Sequence, residues 1–475
     1  MSKTVNVDQV RAGMAREMHS MPSAARREMV ETLRTLAMRR SITYEYDKSS
    51  GEEPIRILFP PVLLDQADLR PIYDVSLRMS HACERALGLF LEREDVRNIL
   101  PLEYEEERFL FGISPESHAR SPAIWQRLDA AMDPARPMDT LRFLETNMNS
   151  VGGVYYAPAV EKLSMEVVLP KLLHPPQLDR VSPLDDLEKL LYALLCRHAR
   201  RLGIWSPAEA PFPHVPLRVA VVENDPGAEG PTETPAAIEG LCAMGADAFA
   251  ARPEEFEIRG DQLIHLGRTV DLVYRLFEIR ELMEMKPIEA LKLAFAGNRA
   301  VSGAGGEFDH KSVFELFTSA AFDRLFSAED RRAFRAHVLW TRLLRETFTD
   351  APDGSKIDLP EFAFRARDAL VLKPNRSYGG DSIVIGRETD DGTWQSAVDR
   401  AMSQPDRFVV QSVCPLAEMP FTVIDPAGGA VEERLKVVFG LSSTPDGFGI
   451  IGRASRSSVV NVARHGGLTP VLQAS

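Results

Sequence analysis

A succession of short β-type runs crowds the C-terminal part of the chain. They are Ala369 to Lys373, Ser382 to Gly386, Phe408 to Val413, Phe421 to Ile424, Leu435 to Leu441, Gly449 to Ser455 and Ser458 to Val462. Runs this short bury enough apolar surface only by pairing with one another. Residues 301–475 are therefore expected to hold a sheet-based domain, entered through a helical stretch over 312–349.

The rest of the chain has a different texture. From Val5 to about Arg40 apolar residues recur at three and four (Val10, Met14, Met18, then Met29, Leu33, Leu36), and helical spacing returns from Ile72 to Arg93. Residues 1–120 read as a mostly helical region, interrupted by a short strand and rigid turn at Ile55 to Leu64 with Pro60-Pro61. Over 121–165, the runs Ile124 to Met132 and Thr140 to Asn147 flank a polar turn, which is a hairpin signal. Over 166–300 strand-like runs (Leu217 to Glu223, Ala248 to Phe256, Thr269 to Arg275) alternate with a helical one, Pro235 to Met244. That alternation predicts a small α/β unit.

Charge narrows the partners. The 475 residues carry 56 Lys+Arg against 69 Asp+Glu, a net −13, with no basic patch beyond pairs such as Arg26-Arg27 and Arg39-Arg40. A field of that sign repels phosphate backbones and anionic lipid, so neither nucleic acid nor a membrane surface is an expected partner. The four cysteines never form a CxxC, and residues 1–30 lack the apolar run of a secretion signal. A reducing, cytoplasmic setting is expected, and no oligomeric state is specified.

Three constellations carry chemistry. In the first, Lys373-Pro374-Asn375-Arg376-Ser377-Tyr378-Gly379-Gly380-Asp381-Ser382, a lysine ends an apolar run and a Gly-Gly turn follows, so one ammonium and several exposed peptide N–H groups share one place. An edge lysine on a plain hairpin has the same pattern. In the second, Phe408 to Glu418, a strand ends in an irregular segment whose peptide groups suit an adenine edge, with an acid for ribose hydroxyls. Taken alone, the segment reads first as a strand meeting a loop at Pro415. In the third, Asp129 lies on one strand of the predicted hairpin and Glu145-Thr146-Asn147 on the other. Alternation puts Glu145 and Asn147 on one face within reach of Asp129, a hard-oxygen set suited to Mg²⁺ on nucleotide phosphates, or else a polar outer face.

Together these pieces resemble the ATP-grasp ligases. The hairpin precedes the nucleotide strands, and that order resembles the circularly permuted branch, which includes the glutathionylspermidine-synthase-like proteins. Val270 to Arg275, Asp309-His310-Lys311, Leu339 to Arg342, Gly452 to Ser455 and Val460 to Gly467 resemble further parts of that branch. The resemblance implies an α/β (α+β) fold: a circularly permuted ATP-grasp core, with a helical N-terminal region (1–120), a metal hairpin (121–165), a pre-grasp substrate domain (166–300) and a nucleotide domain (301–475). It implies that Lys311 and Lys373 contact phosphates, and that Tyr378, Gly379, Gly380 and Ser382 form a lid. Gln411, Val413, Cys414 and Glu418 would bind adenine and ribose, although Gln411 stands where many members have an acid. Asp129, Glu145 and Asn147 would hold two Mg²⁺. Arg453, with Arg434 or Lys436, would neutralise the phosphoryl group in flight, and Asn461 would line the site.

The implied activity is an ATP-dependent carboxylate–amine ligase that forms an amide or peptide bond through an acyl phosphate. Its partners would be a small carboxylate and an amine. A nucleotide-binding scaffold and a phosphotransferase are the competing readings of the same residues.

Overall fold

The computed structural model describes residues 7–206, 215–224, 229–377, 382–425 and 429–475. The three- and four-residue spacing near the start becomes the helices Val7–Ser20 and Ser23–Arg39, whose buried residues include Val10, Met14, Met18, Met29 and Leu33. Asp65 caps the next helix, Gln66–Glu84, by accepting from the Ala67 N–H.

The run at 217–223 forms the strand Arg218–Glu223, buried along nearly all its length because both faces are covered. It pairs in parallel with Leu272–Leu276 and Asp247–Ala250, and Ala300–Val301 completes a four-stranded parallel sheet. The helix Thr234–Ala243 runs between two of these strands in sequence.

Two antiparallel sheets frame the site. One is ordered Thr341–Leu343, Phe408–Ser412, Leu370–Pro374, Val384–Ile385. The helices Leu359–Arg365 and Asp391–Met402 back it through a core that includes Trp340, Leu372, Trp394 and Val410. The other is built on the long strand Ala430–Thr444, which pairs along one edge with Gly447–Ser455. Its second edge is shared: Glu418–Ile424 takes the first half, and Arg127–Ala131 takes Phe439 to Leu441. Arg142–Asn147 then closes the hairpin predicted from the sequence. The two sheets are tied where Gln411 Nε2 donates to the Leu144 carbonyl at 3.1 Å; within its own sheet it also donates to Thr341 Oγ1 at 2.9 Å.

Two expectations differ from the structure. The stretch 312–349 is helical over Val313–Thr318, over the 3₁₀ segment Ala320–Leu325 and over Ala328–His337, but Thr341–Leu343 and Phe348–Asp350 are strands. The fully buried Arg342 explains the change, because its guanidinium is satisfied by Thr318, Thr349 and Asp350, partners that an extended segment brings within reach. Ser458 to Val462 forms no strand: Asn461 instead caps a single 3₁₀ turn, Val462–Arg464. Residues 7–120 are mostly helical, as expected, and are joined to the end of the chain where Val62–Asp65 pairs in parallel with Val471–Ala474. Among the described residues no helix is long and apolar enough to cross a membrane.

Candidate functional site

Strand alternation assembles the acidic side. In the hairpin, Asp129 is opposite Glu145 and Arg127 is opposite Asn147, so all four side chains share one face. Asp129 is buried, with Arg127 Nε 2.8 Å from Oδ1 and Arg453 Nη2 2.7 Å from Oδ2. Burial alone would favour the neutral acid, but the two guanidiniums outweigh it and hold the carboxyl well below the usual carboxylate range. Gly440 is the residue paired with Asp129 on the long strand, and a Cβ there would lie 2.5 Å from Arg127 Cδ. The missing side chain is what lets Arg127 cross to Asp129.

The cationic side comes from two segments clasped together. The Lys311 N–H donates to the Asn375 carbonyl at 3.0 Å, and the Ser312 N–H to Asn375 Oδ1 at 2.9 Å. Asp309-His310-Lys311 is thereby laid against the end of the Lys373 strand. Lys311 Nζ donates to the Ser377 carbonyl at 2.9 Å and sits 3.6 Å from Glu145. Lys373 is 8% exposed. Burial holds its ammonium below the ordinary lysine range; Glu145 opposes that shift at a distance and Lys311 reinforces it.

Arg127, Asp129, Glu145, Asn147, Lys311, Lys373 and Arg453 line one cavity of about 500 Å³, together with Gln411, Val413, Cys414, Glu418, Lys436 and Asn461. That volume is within the range of small-molecule sites, about 300–1,000 Å³. Most residues singled out in the sequence thus meet, and several differ in detail. The Val413 N–H donates to the Ala369 carbonyl, so that donor is spent inside the sheet. Asn461 spends its side-chain oxygen on the Ala463 N–H, at 2.9 Å. Lys436 Nζ is bonded to Ser458 and lies 3.9 Å from Glu388. Burial pushes the Cys414 thiol up, which disfavours a thiolate nucleophile.

Two expectations are corrected. Arg434 is exposed and does not line the cavity: its Nη2 donates to the Glu418 carbonyl at 2.7 Å, where it braces that strand from outside. Ser382 is exposed with φ +57° and is also absent from the walls, whereas Ile383, Ile385 and Arg387 line them. Tyr378, Gly379 and Gly380 lie outside the described residues. Sequence reasoning passed over Arg127, which a two-residue step from Asp129 on the same strand face would have revealed. It also passed over Tyr44 and Tyr156, brought in from segments with no signal of their own.

Among the described residues no cluster of three or more His, Cys, Asp or Glu is placed to hold an ion alone. Glu145 and Asn147 on the hairpin face carry oxygens of the kind Mg²⁺ takes, commonly one or two carboxylates completed by substrate phosphates and water, whereas both oxygens of Asp129 face Arg127 and Arg453.

No protein-family model and no curated protein matches the chain. Among solved structures it is similar to the apo form of GSS30, a glutathione synthetase-like effector from Globodera pallida, with a TM-score of 0.65 at 12% identity over 95% of this chain and 98% of that one. At that identity the likeness concerns the fold: a mixed α/β, glutathione synthetase-like architecture, which fits an ATP-grasp-like fold.

Proposed function

We propose that this chain is an ATP-dependent carboxylate–amine ligase of the circularly permuted ATP-grasp type. The reading rests above all on one juxtaposition, a buried lysine at the end of Leu370–Pro374 facing the same cavity as the Asp129, Glu145 and Asn147 hairpin. Two lysines opposite two carboxylates match what a magnesium nucleotide needs from a site. Chain order supports the permuted branch, because Arg127–Ala131 and Arg142–Asn147 precede Leu370–Pro374 and Phe408–Ser412.

The chemistry follows from a physical need. A carboxylate is a poor acyl donor because its leaving group would be an oxide. When a carboxylate oxygen attacks the γ-phosphorus of ATP, the bond to ADP breaks and an acyl phosphate forms. An unprotonated amine then attacks the acyl carbon, phosphate departs with the electron pair, and the nitrogen releases a proton to solvent. Lys311 and Lys373 would hold phosphate oxygens, and Lys373 gains the counter-charge that burial denies it. Arg453, positioned by Asp129, would face the developing negative charge. Asp129, Glu145 and Asn147 would hold the two Mg²⁺ ions, which when bound supply charge neutralisation on the phosphates. The Gln411 link to Leu144 between the sheets would keep the strand walls fixed while water is excluded.

Isothermal titration with a non-hydrolysable ATP analogue, with and without Mg²⁺, tests the site. Mg²⁺-dependent binding that is lost in Lys373→Ala and weakened in Glu145→Gln is expected. Absence of binding by the unmodified protein, or unchanged binding in Lys373→Ala, would overturn the assignment. One observation favours a second reading, a nucleotide-binding scaffold: Asp129 is already closed between two guanidiniums. Its mark would be Mg²⁺-dependent binding with no ADP release for any carboxylate and amine. ADP release that needs a carboxylate but no amine would mark a phosphotransferase instead.

A further inference from the structure

The cavity has a second set of walls, from elements outside the four-stranded sheet. Tyr44 and Pro231 are paired residues of adjacent strands, and Tyr156 begins the helix Tyr156–Leu163; all three face the cavity, and so do Arg127 and Leu468. The polar groups of this end are largely used up. The Tyr156 hydroxyl donates to the Thr43 carbonyl and accepts from the Thr232 N–H at 2.8 Å. The buried Glu233 carboxylate accepts the N–H groups of Gly153, Tyr155 and Tyr156. Each Arg127 nitrogen already has an oxygen partner, Asp129 for Nε and Nη2 and the Gly152 carbonyl for Nη1. What this end offers a ligand is ring faces and aliphatic surface.

The neck beside it is different. Beside it the cavity sets the cations Arg127, Lys311, Lys373, Arg387, Lys436 and Arg453 against the carboxylates Asp129, Glu145 and Glu418, an excess of positive charge, with Arg127 and Arg453 closing on Asp129. A carboxylate is attracted there and an ammonium repelled. A second charge carried deeper would be desolvated without a partner, at a cost well above that of a tenfold change in affinity.

Building on the ligase reading, we infer that the acyl substrate is a monocarboxylic acid whose carboxylate is its only charge and whose body is aromatic or aliphatic. Tyr44, Tyr156, Pro231 and Leu468 receive the body, and the carboxylate points to the Arg127–Asp129–Arg453 neck. Polycationic and multiply acidic substrates are thereby excluded from this end.

A matched series of acids tests this without knowledge of the amine. Hydroxylamine, a small neutral nucleophile, attacks an acyl phosphate, loses a proton and expels phosphate to leave a hydroxamate that is read by colour, alongside ADP release. The purified full chain with Mg-ATP and hydroxylamine is offered hexanoate, its ω-amino derivative, hexanedioate and phenylpropionate. Hexanoate and phenylpropionate are expected to give hydroxamate with kcat/KM at least tenfold above the two doubly charged acids. Tyr44→Ala is expected to raise KM for the apolar acids at least tenfold with KM for ATP unchanged. Equal or better use of the ω-amino acid or hexanedioate would overturn the inference and leave the ligase reading standing. Nucleotide binding without turnover of either apolar acid would also overturn it. If no ATP analogue binds at all, both readings fall together. The acid series on the unmodified protein decides the matter even if Tyr44→Ala does not fold.

Discussion

Arg453 reaches Asp129 across the long strand Ala430–Thr444, Nη2 to Oδ2 at 2.7 Å, while Arg127 approaches the other carboxylate oxygen from the same strand as Asp129. The carboxylate is the common counter-ion of two largely buried guanidiniums, so its loss is felt twice. Asp129→Asn is expected to lower unfolding free energy by about 3–5 kcal/mol, the usual cost of stranding a buried charge. Arg453→Ala leaves Asp129 with Arg127 and is expected to cost less. Urea denaturation of the two variants checks the order, and a smaller loss in Asp129→Asn would contradict it.

Lys373 gives a pH signature. Its ammonium is held below the ordinary lysine range by burial, so the unfolded chain binds that proton more tightly than the folded one. Between the depressed value and the unfolded value of about 10.4, stability contributed by this group rises with pH; at neutral pH the charged form carries its full penalty. Lys373→Met is therefore expected to be more stable than the unmodified protein at pH 7, by a margin that narrows as pH rises toward 10. Parallel denaturation curves at neutral and alkaline pH read the margin, and a constant difference would refute the assignment.

Asp309 behaves in the opposite sense. Burial, helped by the nearby Glu278 and Glu307 charges, pushes its carboxyl up to about 7. The folded state then holds a proton that the unfolded state has lost, so this group's contribution falls as pH rises from about 4 to about 7. Asp309→Asn is expected to match the unmodified protein at or below about pH 4 and to exceed it by about 2–4 kcal/mol at pH 8, where the charged form is fully penalised. A thermal melt series across that window suffices to check it.

Arg376 is held three residues beyond Lys373 by a bidentate contact with Glu106, 2.7 Å to each oxygen, with Glu278 at 3.5 Å and Glu307 at 3.8 Å. Arg376→Ala leaves buried carboxylates without their fork, and a loss of about 3–5 kcal/mol is expected. Arg376→Lys is expected to recover only part of it, because an ammonium cannot match both oxygens at once. A double-mutant cycle with Glu106→Gln measures the coupling, and additivity would show the contact to be idle.

What could be read in advance divides along a physical line. The hairpin and the strands at 218–223, 370–374 and 408–412 were legible because alternation and apolar runs are local signals. Lys373 was legible because it sits between an apolar run and a Gly-rich turn. The Arg376–Glu106 fork was not, since neither residue differs locally from a solvated charge and only the tertiary fold brings them together. Thr341–Leu343 was misread for the same reason, as its extended form depends on pairing with Gln411, Val410 and Val409. Arg434 was misplaced because strand period fixes a face, while the reach of a long side chain toward Glu418 is set by its neighbours.

The edge shared by the long strand has a consequence for how the molecule is made. On the edge away from Arg142–Asn147, Leu128, Asp129 and Ala130 pair with Leu441, Gly440 and Phe439. At cellular elongation rates, a gap of roughly 310 positions keeps the hairpin's bonding edge unpaired for about 15–60 s after it is synthesised. During that interval the hairpin is an open template for other strands. Yield in the cell is thus expected to depend on whatever shields that edge until the long strand emerges, more than on the stability of the finished protein.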